Sequence, residues 1–269
     1  MAITSKMARV IVKLGGGLIT DKSEYKQVRL ERVDAVSAVI RELRNCGHSV
    51  ILVHGAGSFG HLEARKWRLS EGFDSEISEE QELAVTRVRS DMDDLNEYVI
   101  ESLRSYGVES EVLPPRYWAT GIGVDFQGDL GSFSRDPAEP VPITFGDVVA
   151  THDHTRFGIL SGDHIMVRLG NEIPDVSACI FLLGDADGLM DRPPGESGAT
   201  LLTTWSVDED FSDSHNPNVD VTGGIMLKAQ CASLIARNVE HVWLLNGTIP
   251  ERILDIVSSG RAIGTRVLR

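Results

Sequence analysis

Short apolar runs alternate along the chain with longer segments whose apolar positions recur at helical spacing. Val10-Ile11-Val12 and Ser49-Val50-Ile51-Leu52-Val53 each run straight into glycines, and residues 179–183 and 242–245 are apolar runs of the same kind. Continuous runs of this length read as strands buried on both faces. Val33, Val36, Ile40 and Leu43 mark an amphipathic helix over residues 28–43, stopped at Asn45-Cys46-Gly47. A longer stripe of Val85, Val88, Met92, Leu95, Val99 and Leu103 predicts a second helix over residues 78–106.

The remaining pattern is less regular. Residues 108–113 predict a strand ended by Pro114-Pro115, and residues 121–142, rich in Gly, Pro, Ser and Asp, predict loop with short strands. Val148-Val149-Ala150 and Gly158-Ile159-Leu160 flank a polar turn as the arms of a hairpin. Ser161-Gly162-Asp163 starts a helix toward Leu169, residues 208–220 form an acidic irregular segment, and a helix follows Gly223-Gly224. Repeated strand–loop–helix units predict an α/β fold with an open, mainly parallel central sheet. A chain of 269 residues is long enough for one large domain or two lobes. A division near residue 178 suits the pattern, although no linker marks it.

Composition narrows the classes of function. The formal net charge of −14 argues against nucleic acid or an anionic membrane surface as a partner. No apolar run approaches the roughly 18–20 residues that span a bilayer, and the first seven residues lack a signal-peptide apolar region and read as a short disordered extension. Cys46, Cys179 and Cys231 are odd in number and widely spaced, which predicts reduced thiols in a cytoplasmic protein. The acid-rich balance also suits a protein adapted to high salt, as it suits an ordinary acidic enzyme.

Two glycine clusters, Gly15-Gly16-Gly17 and Gly55-Ala56-Gly57-Ser58-Phe59-Gly60, follow the first two predicted strands. Glycine lets backbone N–H groups converge on a phosphate, and neighbouring strands would carry both loops to the carboxyl edge of one sheet, where open α/β sheets bind ligands. The second cluster matches the G-x-G-x-x-G pattern of dinucleotide-binding proteins, but it follows the second strand and lacks the acidic residue that ends the next one. No Gly-x-x-x-x-Gly-Lys-Ser/Thr occurs. The chain has six lysines against twenty arginines, and Lys13, Lys22 and Lys228 lie in or beside glycine motifs. A lysine is a mobile point charge and arginine a planar fork, so this placement points to phosphoryl transfer.

These motifs also carry a resemblance. Lys13-Leu-Gly-Gly, Ile19-Thr-Asp-Lys22 and His54-Gly-Ala-Gly-Ser-Phe-Gly-His61 resemble the amino acid kinase superfamily and, within it, the isopentenyl phosphate kinases. The likeness continues through Phe145-Gly-Asp-Val-Val149, Ser161-Gly162-Asp163, Gly184-Asp-Ala-Asp-Gly188, Asp220-Val-Thr-Gly-Gly224 and Gly264-Thr265-Arg266, so it spans nearly the whole chain. It implies a three-layer αβα sandwich. Residues 1–178 would form an acceptor-binding N-lobe and residues 179–269 a nucleotide-binding C-lobe of a single domain.

The resemblance further implies ATP- and Mg²⁺-dependent phosphorylation of isopentenyl phosphate to isopentenyl diphosphate, feeding isoprenoid synthesis by a mevalonate pathway, in a homodimer. A related kinase for another phosphate or phosphonate such as fosfomycin is the alternative, and a non-catalytic nucleotide-binding regulator is a third reading. Lys13, Gly15, Gly16, Gly17, Gly57, Asp185, Asp187, Gly188, Gly223 and Lys228 would bind ATP. Ala56, Gly57, Gly60, His61, Ser161 and Gly162 would bind the acceptor, and Asp163 would orient the lysines. Lys22 would stabilise charge on the transferring group. The catalytic set is thus Lys13, Lys22, His61, Asp163 and Lys228. Gly17 departs from the pattern, which more often has serine, but its backbone N–H remains.

Blander roles suit some of these positions. Asp185 and Asp187 also fit as turn formers before Gly188, and His54 fits as a structural histidine at a strand end. His152-Asp153-His154 lies in the predicted hairpin turn without a third ligand nearby, so it reads as solvated turn and no metal site is expected.

Overall fold

A computed structural model describes residues 9–21, 23–206 and 223–269. The N-terminal extension, Lys22, the acidic segment 208–220 and the Asp220-Val-Thr222 part of the last glycine motif lie outside the described residues.

The chain runs β1 (Arg9–Leu14), α1 (Gly16–Ile19), α2 (Leu30–Asn45), β2 (Ser49–His54), α3 (Gly57–Lys66), α4 (Ser78–Ser105) and β3 (Ser110–Val112). Two short strands, β4 (Ala119–Thr120) and β5 (Gln127–Gly128), precede β6 (Val141–Phe145), β7 (Asp147–Ala150), β8 (Phe157–Leu160) and α5 (Gly162–Glu172). The rest comprises β9 (Val176–Leu183), β10 (Thr204–Ser206), α6 (Gly223–Ala236), β11 (His241–Asn246), α7 (Arg252–Ser259) and β12 (Thr265–Leu268).

Eight strands form the central sheet in the order β10-β12-β11-β9-β1-β2-β6-β3. Every neighbouring pair is parallel except β11 with β12. A second sheet, β5-β4-β7-β8, contains the expected hairpin, with Val148 opposite Ile159. Alternate side chains of the central strands feed two cores. Val10, Val12, Val50 and Leu52 pack with α2 and α4 on one face; Ile11, Ile51 and Val53 pack with α5 and α6 on the other. Burial on both faces is why these strands read as unbroken apolar runs, and it produces the three layers.

The helix stripes predict α2 and α4 to within two residues at each end. The start of α2 shifts because Val28 is taken by a β-bridge to Thr20. Helix α5 begins where expected, with the Ser161 hydroxyl accepting from the Asp163 N–H at 3.2 Å. Residues 121–142 contain the short strand β5, in keeping with the expected loop with short strands, but the structure corrects the end of the segment: Val141 and Pro142 open β6, an inner strand between β2 and β3. Pro142 lies at the β3 side, beyond the three-residue pairing with β2 that begins at Ile143, so it interrupts no ladder bond to β2. Helices α3 and α7 and strand β12 had no distinct periodic signal.

Candidate functional site

Five parallel strands end level with one another. Leu14 lies beside His54 and Leu182, His54 beside Phe145, and Leu183 beside Asn246. The next residue in each case is a glycine: Gly15, Gly55, Gly146, Gly184 and Gly247. Four of them continue the ladder across the sheet edge: Gly15 N–H donates to Leu182 O, Gly55 to Leu14 O, Gly146 to His54 O and Gly247 to Leu183 O, at 3.0–3.2 Å. The chain thus leaves the sheet with little side-chain bulk, and a cleft of about 860 Å³ opens over this edge.

The two predicted glycine loops meet backbone to backbone. A Cβ added to Gly16 would lie 2.3 Å from Gly57 N, and one added to Gly55 would lie 2.7 Å from Gly16 N. Gly57 also has a φ of +51°, in the left-handed region. These positions require glycine for separation as well as for conformation.

Lys13 and Lys228, from β1 and α6, converge on Asp163 at the start of α5. Lys13 Nζ pairs with Asp163 Oδ1, and Lys228 Nζ lies 3.3 Å from Oδ2 and donates to Gly224 O at 3.1 Å. Burial pulls the Lys13 ammonium down to about 8; the Asp163 charge opposes this and Lys228 adds to it. For Asp163, burial pushes upward, but the two lysine charges and their hydrogen bonds hold the carboxyl below its usual range. The centre is therefore a carboxylate shared by two cations, one of them, Lys13, held below the usual lysine range by its burial.

Lys13, Gly15, Gly16, Gly17, Ala56, Gly60, His61, Ser161, Gly162, Asp163, Asp185, Gly188 and Lys228 all line the cleft. Gly57 is buried beneath the loop contact, and Gly223 begins α6. Asp187 is not among the lining residues: its Oδ1 accepts from Arg252 at 2.6 Å and from the Asn246 amide at 3.3 Å. The Arg252 hydrogen bond is the main reason its carboxyl lies below the usual range. Asn246 also donates to Asp185 O at 3.0 Å, so Asn246 and Arg252 fix the shape of the 184–188 turn. Sequence reasoning missed both, since each is a side chain reaching a loop some sixty residues away. Thr265, of the Gly264-Thr265-Arg266 motif, has a related part, its hydroxyl accepting from Leu189 N at 2.8 Å and donating to Leu202 O at 2.6 Å.

His54 is structural, fully buried at the end of β2, with its ring nitrogens 3.2 Å from Gly55 O and 3.3 Å from Asn96 Oδ1 and its ring 4.9 Å from that of Phe145. Burial lowers its pKa to about 4, so it is neutral. Ala64, Val88 and Met92, beside the Gly60–His61 turn, give that part of the cleft an apolar wall, and Val148 and Ile159 also line the cleft. Among the described residues no group of three or more His, Cys, Asp or Glu side chains could hold a metal ion, and no helix is long and apolar enough to cross a membrane. All three cysteines are free thiols. In the 152–154 turn, Asp153 accepts from Thr155 N at 2.9 Å.

The chain matches the Amino acid kinase family over residues 8–246. It is 33% identical to the isopentenyl phosphate kinase of Thermoplasma acidophilum, over 92% of this chain and 95% of that one. It is 30% identical to the isopentenyl phosphate kinase of Methanothermobacter thermautotrophicus, over 96% and 98% of the two chains. The crystal structure of a T. acidophilum isopentenyl phosphate kinase product complex superposes with a TM-score of 0.78 at 28% identity, covering 97% of this chain and 100% of that one. With its paired glycine loops at the sheet edge and this likeness along almost its whole length, the chain belongs to the amino acid kinase family, in the branch of the isopentenyl phosphate kinases.

Proposed function

We propose that the protein transfers the γ-phosphoryl group of ATP to isopentenyl phosphate, releasing ADP and isopentenyl diphosphate. The observation that carries this reading is the double character of one cleft. Glycine loops and two lysines form its polar part, Ala64, Val88 and Met92 wall the part beside Gly60 and His61, and Val148 and Ile159 add further apolar lining. A substrate with a phosphate head and a short hydrocarbon tail has that same division.

In the proposed reaction a terminal oxygen of the acceptor phosphate attacks the γ-phosphorus. The bond from that phosphorus to the β,γ-bridging oxygen breaks, and its electron pair leaves on ADP. The attacking oxygen is already anionic, so no strong general base is required. Bringing two polyanions together is the difficulty, and positioning with electrostatic stabilisation supplies the rate. Lys13 and the amides of Gly15, Gly16 and Gly17 would hold the donor phosphates, with Lys228 alongside and Asp163 orienting both lysines. Lys22 would stabilise the group in flight. His61 and the loop at Ala56, Gly57 and Gly60 would hold the acceptor phosphate, with Ser161 and Gly162 on its other side. Asp185 and Gly188 would face the nucleotide, Gly223 would lie on the same side, and Asp187 would act through the shape of its turn.

Both Asp163 oxygens are engaged by lysines, a donor set that suits Mg²⁺ arriving on the phosphate oxygens of ATP better than a cation caged by the protein. When bound, the ion would neutralise charge between the β- and γ-phosphates. The reading also includes residues 1–178 as acceptor lobe, residues 179–269 as nucleotide lobe, and a cytoplasmic homodimer, all supported by the family resemblance.

A coupled assay of ADP release tests the proposal with isopentenyl phosphate, dimethylallyl phosphate and fosfomycin as acceptors. Turnover of isopentenyl phosphate, identified as the diphosphate by mass, is the expected result. Turnover of fosfomycin without isopentenyl phosphate would reverse it.

A further inference from the structure

Thr20 is buried completely, carries no charge and lies at the end of α1, yet its hydroxyl touches both glycine loops. Its Oγ1 donates to Gly16 O at 2.8 Å and accepts from Ser58 N–H at 2.9 Å. Gly16 belongs to the loop assigned above to the donor phosphates, and Ser58 to the first turn of α3, which follows the acceptor loop. The Thr20 N–H also donates to Gly16 O, at 3.0 Å, so backbone and side chain grip the same carbonyl.

The space around this hydroxyl is set tightly. A Cβ on Gly57 would sit 2.0 Å from Thr20 Oγ1, and one on Gly16 would sit 2.3 Å from Gly57 N. The loops are therefore at backbone contact, and the hydroxyl sits between them with a donor on one side and an acceptor on the other. The segment after Thr20 is anchored as well. Asp21 N–H donates to Gln27 O at 2.8 Å, Thr20 bridges Val28, and Lys26 pairs with Asp91 of α4 at 2.5 Å. Thr20 thus cannot shift without moving an anchored turn.

We propose that Thr20 is a positioning residue that fixes the separation of the donor and acceptor loops, and with it the in-line approach of the two phosphates. Direct contact with substrate is not required of it. A hydrogen-bonded tie between two backbones resists sliding as well as separation, which contact alone does not. In-line transfer is sensitive to such sliding: a misplacement of about 1 Å can cost on the order of a hundredfold in rate. The proposal rests on the phosphoryl-transfer reading for its kinetic consequence, but the tie itself is independent of which acceptor is used.

Thr20→Val keeps the shape and removes the hydroxyl; Thr20→Ser keeps the hydroxyl and removes the methyl. With isopentenyl phosphate, Thr20→Val should lower kcat by about tenfold to a hundredfold. ADP affinity by calorimetry should change by less than about threefold, and Thr20→Ser should restore kcat to within about threefold of wild type. A Thr20→Val kcat within twofold of wild type would overturn the proposal, as would a loss shared in full by Thr20→Ser. Hydrogen exchange of the unliganded proteins provides the second readout. Faster exchange at residues 16–20 and 55–60 in Thr20→Val, absent in Thr20→Ser, supports the tie; unchanged exchange overturns it. Inactivity of the wild type toward isopentenyl phosphate would count against the functional reading alone, and exchange would then decide the tie.

Discussion

Lys13 shows how burial and neighbours set the chemistry available to a single residue. It is 4% exposed, and desolvation lowers its ammonium to a pKa of about 8 despite the Asp163 carboxylate. Arriving phosphates would favour the charged form and raise that value again. If the Lys13 cation holds ATP, the free protein loses binding competence as pH rises through about 8. Affinity for ATP should then be nearly flat from pH 7 to 7.5 and weaken by up to about tenfold per pH unit above 8, until the pKa of the complex is reached. Calorimetric titrations across pH 6.5–9.5 check this; constant affinity over that range would contradict it. The sequence marked Lys13 and Lys228 through their rarity and their glycine neighbours. It did not show that both meet one carboxylate, because Asp163 lies 150 residues from Lys13 and 65 from Lys228.

Secondary-structure elements were legible where one physical signal dominated. Helices α2 and α4 have unbroken apolar stripes, and β1, β2, β9 and β11 have apolar runs that only two-sided burial explains. Helix α3 was obscured by its glycines: Gly57 and Gly60 weaken helix propensity, but they allow close packing, with Gly60 against Ala56 and 3.6 Å from Met92 Sδ at its virtual Cβ. Helix α4 also carries an internal brace. Gln81, wholly buried, accepts from Asp74 N at 2.8 Å and donates to Trp67 O at 3.1 Å and Gly72 O at 3.0 Å, closing the turn that links α3 to α4. Gln81→Leu removes all three bonds and leaves their backbone partners unsatisfied, at Gly72 in a buried position and at Trp67 and Asp74 in half-buried ones. A loss of about 2–3 kcal/mol in urea unfolding is expected, and a change under 0.5 kcal/mol would show that the turn re-forms its bonds elsewhere.

At the scale of the whole molecule, the formal charge of −14 sets a self-repulsion that salt relieves, since screening contracts from about 10 Å at 0.1 M to about 3 Å at 1 M. The thermal midpoint should therefore rise as KCl is taken from 0.1 to 2 M; a midpoint that falls steadily with salt would show that surface ion pairs outweigh the repulsion. Sequence by itself determined the α/β class, the ends of the main helices, the strand-to-glycine punctuation and the two glycine loops that border the cleft. Those properties are local, written in hydrophobic period and in residues whose backbone freedom is unusual. Tertiary structure alone decided that β6 is an inner strand, that Asp163 joins two lysines, that Asp187 turns toward Arg252, and that Thr20 bridges the two loops. Each of these depends on contacts between segments far apart in the chain, and no local period or propensity encodes which distant partner a side chain will meet.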